Sequence, residues 1–181
     1  MSKKVLIIST SPRKGSNSNA LAEEFAKGAE ASGHQVEKIS LIGKNIQFCR
    51  GCLACQNTKR CVIHDDADTI VQKKMLYADV LVFATPIYYY EMCGQMKTLL
   101  DRANPLFPSD YAFRDVYFIA SSAEDGDEVW SRAASGLEGW IACFPKAQLS
   151  GVVFGGNVTE TGMIQGSPAM KKAFEAGKAI R

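Results

Sequence analysis

The sequence predicts an α/β fold: an open five-stranded parallel sheet, strand order 2-1-3-4-5, with helices on both faces in three layers. Three observations carry this expectation. Short apolar, β-branched-rich runs without alternation recur along the 181 residues, as strands covered on both faces require. Segments with apolar residues at helical spacing separate them. The opening strand–loop–helix–strand stretch is already a βαβ unit, and its continued alternation argues a parallel sheet between helical layers.

Val5 to Ile8 is the first strand, and a loop rich in Ser, Gly, Asn and Pro follows it. Leu21, Phe25 and Ala29 then recur at helical spacing, and Gly33 ends that helix. Gln35 to Ile39 reads as the second strand. Residues 43–66 break the rhythm with four cysteines, two glycines and no helical stripe. They are expected to form a long irregular insertion, a kind of segment that is often functional. A helix is expected from Asp68 to Leu76. Asp79 to Ala84 is the strongest buried-strand signal, and Thr85 to Tyr90 is expected to break it as a loop. Met96, Leu99 and Leu100 mark a helix ending near Asn104-Pro105. Val116 to Ala120 is the fourth strand, followed by the loop Ser121 to Asp127 and helix signal from Trp130 to Phe144. Leu149 to Phe154 is the fifth strand and Met170 to Ala179 the last helix. No repeat, low-complexity tract or linker interrupts the pattern, so residues 1–181 read as one domain with a cysteine-rich insertion at about 43–66.

The apolar fraction of 46% and charged fraction of 22% are an ordinary globular balance, which argues against disorder. Net charge is +2, and basic residues come only in short pairs such as Lys73-Lys74 and Lys171-Lys172, so nothing supports a nucleic-acid partner. The N-terminal apolar run stops after Ile8, too short for the core of a signal peptide. No stretch approaches bilayer-spanning length. The expectation is therefore a cytoplasmic protein with no membrane partner. In that compartment the six cysteines stay mostly reduced, and their spacing points to redox or metal chemistry rather than a disulfide framework.

In open α/β sheets, ligands sit outside the carboxyl ends of the strands, beside strand one. Residues 9 to 19 fall there. They offer hydroxyls from Ser9, Thr10, Ser11, Ser16 and Ser18, side-chain amides from Asn17 and Asn19, and the charge of Arg13. They also lead into a helix N-terminus, whose free N–H groups favour an anion. The loop lacks the glycine fingerprints of dinucleotide and P-loop sites. It has no cysteine before Arg13 for a Cys-x5-Arg phosphatase cradle, and no acidic pair of a phospho-accepting receiver. A phosphate monoester remains as the ligand it suits; a generic Ser-rich turn is the plainer reading of the loop alone.

After strand three, Thr85-Pro86-Ile87-Tyr88-Tyr89-Tyr90 can supply a flat aromatic wall and backbone groups for a planar ring. Core or subunit-interface tyrosines are the plainer alternative. Three motifs in order, Ser11-Pro12-Arg13-Lys14-Gly15-Ser16-Asn17-Ser18, Thr85 to Tyr90, and Gly94-Gln95-Met96-Lys97 with Asp101-Arg102, resemble the flavodoxin-like NADPH-dependent FMN reductases. The resemblance covers residues 3 to 122 by motif and the rest by pattern. It implies a flavodoxin-like fold, with Ser9, Ser11, Arg13, Ser16, Asn17 and Ser18 around the FMN phosphate. It also implies Pro86, Ile87, Tyr88 and Tyr89 at the flavin ring, and Ser121 and Ser122 in the third loop.

Cys49, Cys52, Cys55 and Cys61 follow the spacing C-x2-C-x2-C-x5-C. Four thiolates so close together can hold a [4Fe–4S] cluster, and the run resembles that of iron–sulfur flavoproteins of the same fold. Zinc also suits four cysteines, and a redox pair or inert thiols are further readings. Cys93 and Cys143 are expected as packed thiols, His34 and His64 as surface histidines, and Glu124, Asp125 and Asp127 as a solvated loop or the mouth of the site.

The function expected is an FMN-dependent NAD(P)H oxidoreductase that passes electrons to a small acceptor such as a flavin or quinone. The alternative is an FMN electron-transfer protein with a [4Fe–4S] cluster on the cysteine loop. With flavin-centred chemistry no acid or base side chain is obligatory. The resemblance implies a homodimer or homotetramer.

Overall fold

The computed structural model describes residues 1–181. Its strands are β1 (Lys4–Ser9), β2 (Gln35–Ser40), β3 (Val80–Tyr88), β4 (Glu91–Met92), β5 (Asp115–Ser121) and β6 (Gln148–Gly155). Five are parallel in the order β2-β1-β3-β5-β6, which is the expected order; β4 lies off that path, antiparallel to the end of β3. The helices are α1 (Asn17–Ala31), α2 (Ala54–Thr58), α3 (Asp66–Thr69), α4 (Gly94–Arg102), α5 (Asp127–Ile141) and α6 (Pro168–Lys178).

Two cores follow from strand pleating, which sends successive side chains to opposite faces. Val5, Ile7, Val80 and Val82 pack with Leu21, Phe25 and Ala173 of α1 and α6. Leu6, Ile8, Leu81 and Phe83 pack with Met96, Leu99 and Leu137 of α4 and α5. The α1–α6 contact depends on two glycines. A Cβ on Gly28 would run into the Phe174 carbonyl, and one on Gly177 into the Phe25 carbonyl. Gly177→Ala is therefore expected to destabilise the fold by about 1–3 kcal/mol, the usual cost of overpacking, measurable as a lower urea midpoint.

Several sequence expectations need correction. Strand β3 does not end at Ala84 but runs to Tyr88, because Thr85 and Pro86 still pair with Ala120 and Ser121. Pro86 fits inside a strand because of where the neighbouring strand stops. The Ala84 carbonyl accepts from the Thr10 N–H at 2.8 Å, so Pro86, two residues on, faces the same side just where β1 has ended. Its missing donor deprives no neighbour. The chain then reverses at Tyr89 and Tyr90, both at positive φ (52° and 63°), into β4. Residues 43–66 are irregular as expected but contain the short helix α2. The helix expected from Asp68 to Leu76 is broken: α3 passes into a π turn at Ile70–Lys74 and a 3₁₀ turn at Met75–Tyr77. Helix α5 starts three residues earlier than the apolar pattern indicated, with Asp127 and Glu128 in its first turn, where acids favour the helix dipole. Cys93 is buried, but Cys143 is exposed rather than packed. His34 is half-buried and bridges two backbone groups: Nδ1 takes the Lys3 N–H and Nε2 meets the Ile180 carbonyl, each at 3.1 Å.

Candidate functional site

Ten polar or charged residues are buried: Ser9, Thr10, Ser11, Ser16, Asn17, Ser18, Thr85, Ser121, Ser122 and Arg102. The first nine gather at the carboxyl end of the parallel sheet. All parallel strands exit there, so their loops converge. A cleft opens among them. Ser11, Arg13, Ser16 and Asn17 line it from the loop after β1; Pro86, Ile87 and Tyr88 from the end of β3; and Ser121, Ser122 and Ala123 from the end of β5. Val158, Thr159 and Thr161, from the loop after β6, complete the lining.

Arg13 is the sole charged residue among the lining residues. The cleft also receives the N-terminus of α1, a helix of 15 residues with no acid in its first turn. Ser16 caps that helix by accepting the Asn19 N–H (3.3 Å), and the Arg13 N–H donates to Ser11 Oγ (3.2 Å). Charge and dipole thus agree on an anion. Asn17 ties this loop to the one after β6: its Nδ2 donates to the Glu160 carbonyl (2.9 Å) and its Oδ1 accepts the Ile164 N–H (3.3 Å). Arg13 Nη1 donates to the Thr159 carbonyl (3.0 Å). Gly15, at φ +64°, leaves room where a Cβ would press on Thr161.

Of the twelve residues expected around the cofactor, the structure brings nine to this cleft. Ser9 ends β1, Ser18 is fully enclosed with its Oγ 3.4 Å from Ser16 Oγ, and Tyr89 is fully exposed and does not line the cleft. Sequence reasoning missed Val158, Thr159 and Thr161. The signal was available: Asn157-Val-Thr-Glu-Thr-Gly162 is a turn-rich stretch leaving the last strand at the ligand end of the sheet.

Tyr89 belongs to an adjoining slot with Tyr88, Tyr90, Ala123, Glu124 and Val129. It is wholly exposed. The Tyr90 hydroxyl donates to Glu124 Oε2 (2.7 Å), which pushes the phenol up from its ordinary range, and the Arg132 guanidinium sits 5.0 Å from the Tyr90 ring centroid. Glu124 is thus at the mouth of the site and held by a partner. A tyrosine in the left-handed region is strained. Tyr89→Asn is expected to raise stability by about 1 kcal/mol, visible as a higher thermal midpoint.

The cysteine segment forms a second cavity. Cys49, Cys52, Cys55 and Cys61 all line it, together with Arg102 and Asn104. Cys49 and Cys52 are exposed, Cys55 is buried and Cys61 half-buried. Burial pushes the Cys55 thiol up, the Asn104 amide at 3.1 Å opposes this, and the nearby Cys61 and Cys49 sulfurs add to it. The Gly51 and Ile63 N–H groups each reach back to a sulfur, Cys49 and Cys61 respectively, at 3.5 Å. No three ligand-type side chains stand at coordinating distance.

The model for NADPH-dependent FMN reductases matches residues 3–154. The chain belongs to that family. The match takes in the sheet up to the last residues of β6 and leaves the loop after it, and α6, outside. Among curated relatives, an iron–sulfur flavoprotein of Archaeoglobus fulgidus is 37% identical over 95 residues, 52% of this chain and 43% of that protein. An iron–sulfur flavoprotein of Methanosarcina thermophila is 27% identical over 170 residues, 92% of this chain and 84% of that protein. The match therefore spans less than half of the Archaeoglobus relative. Among solved structures, the NAD(P)H:quinone oxidoreductase from Methanothermobacter marburgensis superposes with a TM-score of 0.73 at 17% identity, over 98% of this chain and 96% of that one. At that identity the likeness concerns the fold of this reductase-family member. No helix is long and apolar enough to cross a membrane.

Proposed function

We propose that this chain is an NAD(P)H-dependent oxidoreductase working through FMN held in the cleft at the carboxyl end of the sheet. One observation carries the reading: the lining's single charge, Arg13, and the α1 N-terminus share a cleft with the Pro86–Tyr88 wall. An anionic head and a planar ring are the two parts of FMN, and the family match supports that cofactor. In this reading Ser11, Arg13, Ser16 and Asn17 hold the phosphate, with Thr159 and Thr161 beside them. Ser9 and Ser18 shape the loop from beneath. Pro86, Ile87 and Tyr88 flank the ring, and Ser121 and Ser122 present hydroxyls to it. Bound FMN supplies two-electron hydride chemistry. The protein's part is to grip, orient and partly shield it, while the slot at Tyr88–Tyr90 receives a small acceptor such as a quinone or flavin.

The test is direct. The purified protein, or the apoprotein given FMN, should show flavin absorbance and oxidise NADPH or NADH with a quinone or free FMN as acceptor. A protein that takes up no FMN, or binds it and turns over neither donor, would remove the reading. A cytoplasmic setting and a homodimer or homotetramer belong to the same proposal; fully exposed Tyr89 beside the cleft is the surface a second copy would cover. Light scattering on a gel-filtration column checks the oligomeric state.

A second reading is favoured by the cysteine cavity: an FMN protein that also carries a [4Fe–4S] cluster on Cys49, Cys52, Cys55 and Cys61. The donor set fits, since four thiols line one cavity that also holds a buried, unpartnered N–H, Arg102 Nε. Iron and sulfide analysis after anaerobic purification tests it.

A further inference from the structure

Arg102 is the one charged residue buried as a whole, it lies far from the flavin cleft, and the proposed flavin chemistry does not use it. It ends α4 and its side chain is wholly enclosed. Nη1 donates to the Gln47 carbonyl (2.8 Å) and to Asp65 Oδ2 (2.7 Å). Nη2 donates to the Ile63 carbonyl (2.9 Å) and to Asp65 Oδ1 (3.1 Å). Gln47 precedes the first cysteine of the run and Ile63 follows the last. One guanidinium therefore fastens both feet of the cysteine segment to the body of the fold. Asp65 closes the arrangement by accepting the Gln47 N–H (2.9 Å).

Four of the five guanidinium N–H directions are accounted for this way. The fifth, Nε, is buried with no partner. An orphaned buried donor is costly, and in a charged group it points to a ligand that accepts from it. Arg102 lines the cavity shared by the four thiols. A cluster held by four thiolates is anionic and takes hydrogen bonds at sulfur, and such bonds tune its reduction potential.

We infer that Arg102 is a positioning residue for a thiolate-bound [4Fe–4S] cluster, clamping both feet of the cysteine segment and presenting one free N–H and one positive charge to the cluster. This rests on the second reading above. It adds a residue outside the cysteine motif, and a direction. A fixed cation beside the cluster favours the reduced, more negative state. Asp65, paired to that cation, acts in the opposite sense.

The test compares wild type, Arg102→Gln and Asp65→Asn as full-length proteins, reconstituted anaerobically with ferrous iron and sulfide. Iron content, chelator resistance and the midpoint potential of the iron–sulfur signal are read, with FMN uptake as the control for an intact fold. Arg102→Gln should lower the potential and weaken iron retention about 10–100-fold, the usual effect of losing a supporting partner of a metal ligand. Asp65→Asn should shift the potential upward. Opposite shifts from two halves of one ion pair are not what a purely structural role produces. Equal potentials in all three, or shifts of the same sign, would overturn the inference. Wild type that takes up no iron would overturn the cluster reading itself. The clamp is then read in the apoproteins by limited proteolysis: cleavage within residues 48–62 should be faster in Arg102→Gln, and equal rates would overturn the clamp as well.

Discussion

Asp65→Ala should destabilise the protein by about 3–5 kcal/mol, the usual consequence of leaving a buried charge without its partner. The Asp65 and Arg102 side chains are 2% and 0% exposed, and the pair meets at 2.7 Å in a two-pronged geometry. Removing the carboxylate strands the guanidinium and frees the Gln47 N–H at once. Equilibrium urea unfolding would show it as a lower midpoint at unchanged slope. An unfolding midpoint within error of wild type would show that the guanidinium finds other partners.

The same pair sets an acid limit. Burial pushes the Asp65 carboxyl up, but Arg102 and the backbone N–H groups of Gln47 and Ala67 outweigh it and hold the group below the ordinary aspartate range. A lowered folded pKa contributes stability that is complete above the unfolded value and is lost as pH falls through the folded one. Stability should therefore be flat at neutral pH and decline below about pH 4. In Asp65→Ala that part of the acid decline should be missing, which unfolding midpoints measured across an acid series would report.

Arg13→Ala should weaken FMN binding by about 10–100-fold. A hydrogen bond to a charged group is worth about 1.5–3 kcal/mol, and every 1.4 kcal/mol is tenfold in affinity. Arg13 is exposed, and its observed side-chain bond is to the Thr159 carbonyl. The fold should lose little, so thermal unfolding of the apoprotein should be nearly unchanged while FMN titration shifts. Riboflavin, which lacks the phosphate, supplies the control. Its affinity should respond far less to the substitution if Arg13 acts on the phosphate.

Part of this was legible in the chain alone. Unbroken runs such as Val5–Ile8 and Val80–Ala84 announce buried parallel strands, because only residues covered on both faces dispense with polar alternation. The strand order expected is the flavodoxin-like one of the common doubly-wound orders, and the structure has it. With all strands parallel, the Ser- and Asn-rich loop after β1 and the aromatic stretch after β3 had to meet at one end of the sheet. The cysteine spacing was equally plain.

Other features needed the third dimension. The continuation of β3 through Pro86 depends on where β1 stops, which no local window contains. The hairpin at Tyr89 and Tyr90 overrides the usual preference for Gly or Asn at positive φ. The loop after β6 is hydrogen-bonded to the loop after β1 through Asn17 and Arg13, across more than 140 residues of sequence.

The sequence by itself determined the fold class and the loops that form the cleft, because these rest on periodicity and chain-exit rules that act locally, while the strand order rests on choosing the flavodoxin-like one of the common doubly-wound orders, and the structure has it. Tertiary structure alone decided that Ser9, Ser18 and Tyr89 lie outside the cleft and that Thr159 and Thr161 lie within it. It also decided that Arg102, named in the sequence only as part of a family-like motif, is buried and bonded to both ends of the cysteine segment. The reason is physical: the cost of a buried charge is met by partners distant in the chain, and sequence spacing carries no record of them.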